Sequence, residues 1–473
     1  MLVALAIPAT PSAQGDPRHL LPPDRPGFGG SVSCAEPAAG PLRLPELVDL
    51  ALCRNPATKG AYAAARSAAA DAGEQRASLL PSVGGTVSAG AQQYVPLGSG
   101  GTTVSIPNGL GGTTPIVVGA AAASTTLSGT LGLSIQYLLF DFGGRRARID
   151  AADDQTASAL ASFSDEAQAL ALQVVQDYNA YHGSRAAEEA ALASVRFAET
   201  SLASAQAKER IGTGLPSDTL QARSALAQAQ LTLQQARGNA LTARGQLAVA
   251  LTLPPQTVLD IAPPEPLADT RTITDRVDAL IAAAERARPD LAARHATLRA
   301  AQAQYRAARS DYLPSVSLSA TPQVSGLHGG GEASNFTGSV GVTLTVPLFS
   351  GYGRTYAVTA ARSEVDRNAD LVEQTREQVG LDIWTNYQTL QTGLQQLTTS
   401  RELLASATAA ADLAQGRFKA GVGTFTDLLN AQSSLANGRQ QLVSAEFNVR
   451  NAQAQLARAV GDLDGIRNGK GPQ

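Results

Sequence analysis

The sequence predicts a mainly α protein that carries a membrane β-barrel element, internally duplicated, with four strands per chain in a shared barrel and long antiparallel coiled-coil helical hairpins forming an α-barrel beneath it. Three observations predict it. Landmarks in the first half recur in the second at fixed spacing, short segments alternate apolar and small polar residues, and very long stretches keep a heptad seam. The composition agrees with slender helices: only 4% of the 473 residues are aromatic, while alanine fills many helical positions. A net charge of −3 with intermixed signs leaves no chain-wide footprint for nucleic acid or for anionic lipid. No apolar run reaches the roughly 18 to 20 residues that a membrane-crossing helix needs, so any span must be β.

The duplication sets the organisation. Pro289 follows Pro56 by 233 residues, and Leu313-Pro314-Ser315-Val316 follows Leu80-Pro81-Ser82-Val83 by the same interval. Beyond that the interval is 209, relating Arg354 to Arg145, Gly421 to Gly212 and Asp427 to Asp218. The deletion between the two registers falls between Pro314 and Leu348, where the second copy has the shorter loop, and length variation there marks a surface loop. The expected organisation is a signal remnant and linker over 1–40, a first repeat over 41–262, a second over 263–463 and a flexible tail over 464–473.

Each repeat reads as helix, strand, loop, strand, long helix, tight turn and return helix. The first helix starts near Pro45, kinks at Pro56 and ends before Pro81. Strands are expected at 82–94, 125–140, 315–325 and 335–346. In the last of these Phe336, Val340, Val342, Leu344 and Val346 share one parity and Thr337, Ser339, Gly341, Thr343 and Thr345 the other, so one face is greasy and the other wet. A sandwich with one solvated face gives the same alternation. Four strands are too few to close a barrel, however, and open edges cannot exist in hydrocarbon, so several chains must share one. The segments 95–124 and 326–334, rich in Gly and small residues, are expected as flexible outer loops.

The stretch from about 143 to 211 reads as one helix roughly 100 Å long. Phe163, Leu170, Val174 and Tyr178 lie on its seam, as Val372, Val379, Ile383 and Tyr387 lie on the matching helix of the second repeat. Return helices are expected at about 218–251 and 427–460, making two antiparallel hairpins.

From Leu44 to Leu463 the chain resembles the TolC-type outer-membrane efflux protein family. The most specific stretch is Arg417-Phe418-Lys419-Ala420-Gly421-Val422-Gly423-Thr424-Phe425-Thr426-Asp427-Leu428-Leu429-Asn430-Ala431-Gln432, similar to the family's second hairpin tip, with Ile211 to Asp218 as its first-copy partner. The resemblance implies an outer-membrane channel subunit of a tripartite efflux or type I secretion system, a homotrimer of twelve strands and twelve helices. It also implies a periplasmic adaptor, an inner-membrane transporter and outer-membrane lipid as partners, no cofactor, and a place in the outer membrane of a Gram-negative bacterium extending into the periplasm. The same resemblance makes the tip turns, with Gly212, Gly214, Leu215, Ser217, Asp218, Gly421, Gly423 and Thr424, the adaptor-docking points and the closed end of the tunnel. Asp427 matches a position of an acidic pore constriction, and Asn430 stands where the family can carry another acid. Gly423 replaces a basic residue that can latch the closed state.

Read from the residues alone, the glycines serve a sharp helix-to-helix turn, and Thr424-x-x-Asp427 has the spacing of a helix capping box, with Asp218 in a similar first-turn position. One carboxylate can both cap and gate. Met1 to Ala13 resembles the end of a secretory signal without a basic leader, and Ser31-Val32-Ser33-Cys34 lacks the lipidation pattern. Cys34 and Cys53 are the only cysteines, and in an oxidising compartment they suit one disulfide. His19, His182, His295 and His328 have no metal-ligand spacing, and Gly351-Tyr352-Gly353-Arg354 lacks the third glycine of a nucleotide-binding turn, so an enzyme is not expected. A coiled-coil filament protein would share the heptads but has no use for duplicated strand pairs.

Overall fold

The computed structural model describes residues 40–94, 102–108, 112–118, 124–265, 277–328 and 333–468. Its elements follow the duplicated order. In the first copy α1 (Leu44–Arg54) and α2 (Pro56–Ala77) lead into β1 (Ser82–Tyr94) and, after a small hairpin of β2 (Thr102–Asn108) and β3 (Gly112–Val118), into β4 (Ser124–Phe140). Then come α3 (Gly144–Arg210) and α4 (Pro216–Ala250). The second copy repeats the series with α5 (Val277–Ala287), α6 (Pro289–Ser310), β5 (Ser315–His328), β6 (Ala333–Thr345), α7 (Gly353–Lys419) and α8 (Phe425–Val460), followed by α9 (Leu463–Asn468). The two long helices have 67 residues each.

Three features differ from the sequence expectation. The kink at Pro56 is a full break, because Asn55 before it takes an extended backbone that proline imposes, and the Asn55 side chain accepts from Ala57 N at 2.8 Å. The outer segment 95–124 holds the β2–β3 hairpin, whose Thr, Val and Ile content favours strands while its flanking glycines and alanines read as loop. Within the expected tail, α9 buries Ile466 in the main core, a signal too short to stand out among Gly461, Gly465 and Gly469.

β1, β4, β5 and β6 form one antiparallel sheet in that order, so β1 and β6 each keep one edge unpaired among the described residues. Register places like with like. Val87, Leu131, Val324 and Phe336 make one cross-strand row, and Val83, Ile135, Ala320 and Val340 another. On the opposite face Ser88, Thr130, Ser325 and Asn335 align, and the Thr321 and Ser339 hydroxyls meet at 2.6 Å. The greasy face is uncovered in the single chain, with Val87 82% and Val340 78% exposed. No Asp, Glu, Lys or Arg occurs in these four strands.

The chain divides into two compact units, each drawing on both copies: a helical unit of residues up to Ala70, Asp153–Ala300 and from Asp366 onward, and a sheet unit of Asp71–Ala152 and Ala301–Val365. In the helical unit one cluster packs Leu47, Leu52 and Phe163 against Val174, Leu247 and Ile466, and a second packs Leu280 against Val379, Ile383, Val449 and Leu456. Deleting one such side chain to alanine costs about 2–5 kcal/mol. Between these clusters lies a polar seam: Arg288 pairs with Asp290 at 2.7 Å and with Asp382 at 3.1 Å, and Asn179 donates to Asn451 at 2.8 Å. His182 lies edge-on between Tyr178 and Tyr181, where burial pushes its pKa down to about 4 and keeps it neutral as a packing residue. Cys53 is buried on α1 and disulfide-bonded, while Cys34 lies outside the described residues.

Candidate functional site

The two hairpin tips end their long helices in the same way. After α3, Gly212 takes φ +75° and the amides of Thr213 and Gly214 both donate to the Lys208 carbonyl at 3.0 Å. After α7, Gly421 takes φ +80° and the amides of Val422 and Gly423 donate to the Arg417 carbonyl at 3.0 and 3.1 Å. A left-handed residue at the helix end lets two outer amides satisfy the last carbonyls, and only glycine does so without steric cost. Gly214 and Gly423 serve close approach instead. A Cβ on Gly214 would stand 2.8 Å from the Lys208 Cβ and 2.9 Å from the Glu209 N, and one on Gly423 3.0 Å from the Arg417 Cβ.

The return helices start differently. At the second tip Thr424 accepts from Asp427 N at 3.1 Å and Asp427 accepts from Thr424 N at 3.3 Å, the reciprocal capping box that the spacing predicts. The hydrogen bonds from Thr424, with the Arg417 charge behind them, hold the Asp427 carboxyl below its ordinary range. At the first tip Leu215 occupies the cap position with no side-chain bond, Pro216 supplies the preorganised first turn, and Asp218 stands in that turn. Ser217 is exposed there, as Asn430 is on α8.

The tips are joined to each other by a cluster that sequence reasoning did not single out. Phe418, Phe425 and Leu428 bury against Ala205 and Ala222, with the two rings edge-on at 5.5 Å. Lys208 places its ammonium 4.0 Å from the Phe418 ring centroid and donates to the Phe418 carbonyl. Gln432 reaches Ser201 on the other hairpin, and Thr219 donates to Glu209 at 2.5 Å across the first hairpin. Outside this cluster Ile211, Leu215, Leu220 and Val422 leave apolar side chains in solvent. Ile211 and Val422 were legible only as members of the tip stretches. No group of acids, histidines or cysteines among the described residues is arranged to hold a metal ion.

The far end of the long helices is the joint with the sheet. Both joints use two consecutive left-handed residues, Phe142 (φ +51°) and Gly143 (φ +88°) in the first and Gly351 (φ +59°) and Tyr352 (φ +64°) in the second. The left-handed pair turns the chain sharply from strand to helix, and the conformation is costly for the aromatic of each pair. The first joint is fixed further by Asp141, which accepts from Arg145 N at 2.6 Å, while Arg145 donates to the Ser78 carbonyl at 3.2 Å.

Known proteins share this plan. The family model for outer membrane efflux proteins matches twice, over 47–252 and 280–462, in step with the two copies. The protein CyaE of Bordetella pertussis is 29% identical over 453 residues, covering 93% of this chain and 90% of that relative. The outer membrane efflux protein BepC of Brucella suis is 26% identical, covering 71% and 73%. Among solved structures, the outer-membrane channel CmeC of Campylobacter jejuni superposes with a TM-score of 0.74 at 20% identity over 89% of this chain and 85% of that one, a likeness of fold. With a sheet that is greasy on one face and wet on the other, paired helical hairpins and a doubled family match, the chain belongs to the outer membrane efflux protein family and is a channel subunit of the outer membrane.

Proposed function

We propose that three copies close one barrel and one helical tunnel, and that the tips dock a periplasmic adaptor which links the duct to an inner-membrane transporter. The sheet carries this reading. Its β1 and β6 edges hold unpaired backbone groups at the depth of the apolar rows, and hydrocarbon offers them no partner except the neighbouring copy's edge. The wet face then lines the lumen with Ser, Thr, Gln and Gly, leaving the wall of the barrel uncharged over the described strands. Uncovered Ile211, Leu215 and Val422 beside the tip turns are the groups that an adaptor's apolar surface would cover. In the closed duct Asp427, repeated around the axis, attracts cations near the tunnel end, and Asn430 one turn on leaves that ring less charged.

The test is oligomer and conductance together. Detergent-extracted protein should migrate as a trimer that shifts on boiling and should open aqueous channels in planar bilayers. A water-soluble monomer, or a rod without conductance, would leave a coiled-coil filament as the better reading. Substituting Leu215 and Val422 with Asp should abolish co-purification with the adaptor while leaving the trimer intact.

A further inference from the structure

We infer that a cavity at the joint of sheet and helices binds the phosphate of an anionic phospholipid in the adjoining membrane leaflet, with Arg309 as its principal ligand. The cavity, about 490 Å³, lies where Phe142 after β4, the end of α6 and the start of α7 meet. Phe142, Tyr312 and Leu313 form its apolar wall, Arg306 and Arg309 its cationic wall, and Thr355 contributes a hydroxyl. No carboxylate lines it.

The two arginines are not equivalent. Arg306 is committed to Asp150 at 3.4 Å, a carboxylate that also holds Arg146 at 3.1 Å. The nearby Asp311 is taken by Arg148 at 2.7 Å. Arg309 has no carboxylate partner among the described residues, and its guanidinium stands 5.9 Å from the Tyr305 ring. An exposed guanidinium without a carboxylate partner, in a cavity that Thr355 also lines, offers the charge and donors that a phosphate accepts.

Position decides in favour of lipid. Phe140 shares the greasy face with Val316 and Leu344 in one cross-strand row, and its ring meets Phe142 edge-on at 4.7 Å. Phe142 in turn lines the cavity together with Arg309, so two aromatic rings link the lipid-facing row to the cationic wall. That order, hydrocarbon then aromatic then cation, matches a phospholipid read from acyl chain to headgroup. The inference rests on the channel reading for the membrane side of this face.

The protein stripped of lipid in detergent and analysed intact by native mass spectrometry tests it, with phosphatidylglycerol, phosphatidylcholine and inorganic phosphate as probes. Wild type should retain phosphatidylglycerol over phosphatidylcholine. Arg309→Gln should lower that retention about tenfold, as loss of one charge-assisted contact does, Arg309→Lys should recover part of it, and Arg223→Gln on α4 should match wild type. Equal retention of the two lipids by wild type overturns the site, even if Arg309→Gln fails to assemble. Unchanged retention in Arg309→Gln overturns it as well, and displacement of the lipid by equimolar inorganic phosphate would assign the cavity to a free anion instead. Conductance recorded on the same preparations separates the two claims: missing channels with an intact lipid preference would count against the duct and not against this site.

Discussion

The two hairpin tips solve one problem with two sets of residues. Both helices end on a left-handed glycine followed by a close-packed one, with the same pair of amides folded back onto a single carbonyl, 209 residues apart. Their return helices begin with different chemistry, Pro216 behind an uncapped Leu215 in the first and the Thr424–Asp427 box in the second. Duplication therefore preserves what backbone geometry requires and lets the caps drift, because proline preorganisation and side-chain hydrogen bonding satisfy the same helix start.

The sharpest way to break the likeness is to crowd the turns. In Gly214→Ala the new methyl meets the Glu209 backbone N at 2.9 Å, whereas in Gly423→Ala the nearest backbone atoms stand at 3.2 Å. We expect Gly214→Ala to destabilise the hairpin by about 2–3 kcal/mol and Gly423→Ala by about 1 kcal/mol, within the range for overpacking. Denaturant midpoints of the assembled protein, followed by helical circular dichroism, would check the order; equal losses would mean that both turns relax alike.

Next in size is the contact between the tips. Lys208→Met keeps the stem but removes the ammonium from the Phe418 ring and carbonyl, a loss of about 1–2 kcal/mol. Because the bond joins two hairpins, the loss should appear as looser tips, read as raised proteolytic nicking near 211–218 and 420–427 and as longer open times in bilayers. Lys208→Arg should restore most of the closure.

Much of this plan was legible in the sequence, and the gaps have physical causes. The two 67-residue helices and the four long strands follow from periodicity and proline stops within a few residues, since regular elements repeat their signal many times over. The tip glycines were legible because a turn leaves few alternatives to glycine. Lys208 was not. Nothing about a lysine near a helix end distinguishes a solvated side chain from one laid on the Phe418 ring 210 residues away, and only packing of the two hairpins brings them together. The joints were read as strand-to-helix connections, but the left-handed backbone at Phe142 and Tyr352 runs against residue preference and carried no local signal.

A smaller effect separates the caps. Thr424→Ala removes the hydroxyl that accepts from Asp427 N and should cost about 1 kcal/mol, whereas Ser217→Ala in the first tip, where no side-chain cap bond forms, should cost almost nothing. The difference depends on pH with a definite sign. The folded-state pKa of Asp427 is depressed by its bonds to Thr424, so its contribution is present above the ordinary carboxylate pKa and is lost as pH falls through the lowered value. Denaturant midpoints of wild type and Asp427→Asn should therefore converge on acidification and differ near neutrality.

Asp427→Asn should change stability least and cation block most. Asp427→Asn keeps an acceptor for the Thr424 amide, so the helix start survives, but it removes a formal charge from each copy. The four long strands carry no Asp, Glu, Lys or Arg, and the cation preference proposed above is assigned to the helical hairpins, where Asp427 stands in the first turn of α8. Block by multivalent cations added to the tip side should weaken in Asp427→Asn and in no comparable degree in Asp218→Asn, if the second tip lines the axis and the first lies outside it. Equal weakening in both would place the two tips at the same radius. Unchanged block in Asp427→Asn would leave this carboxylate a helix cap alone, and the likeness between the tips would then extend to function as well as to backbone.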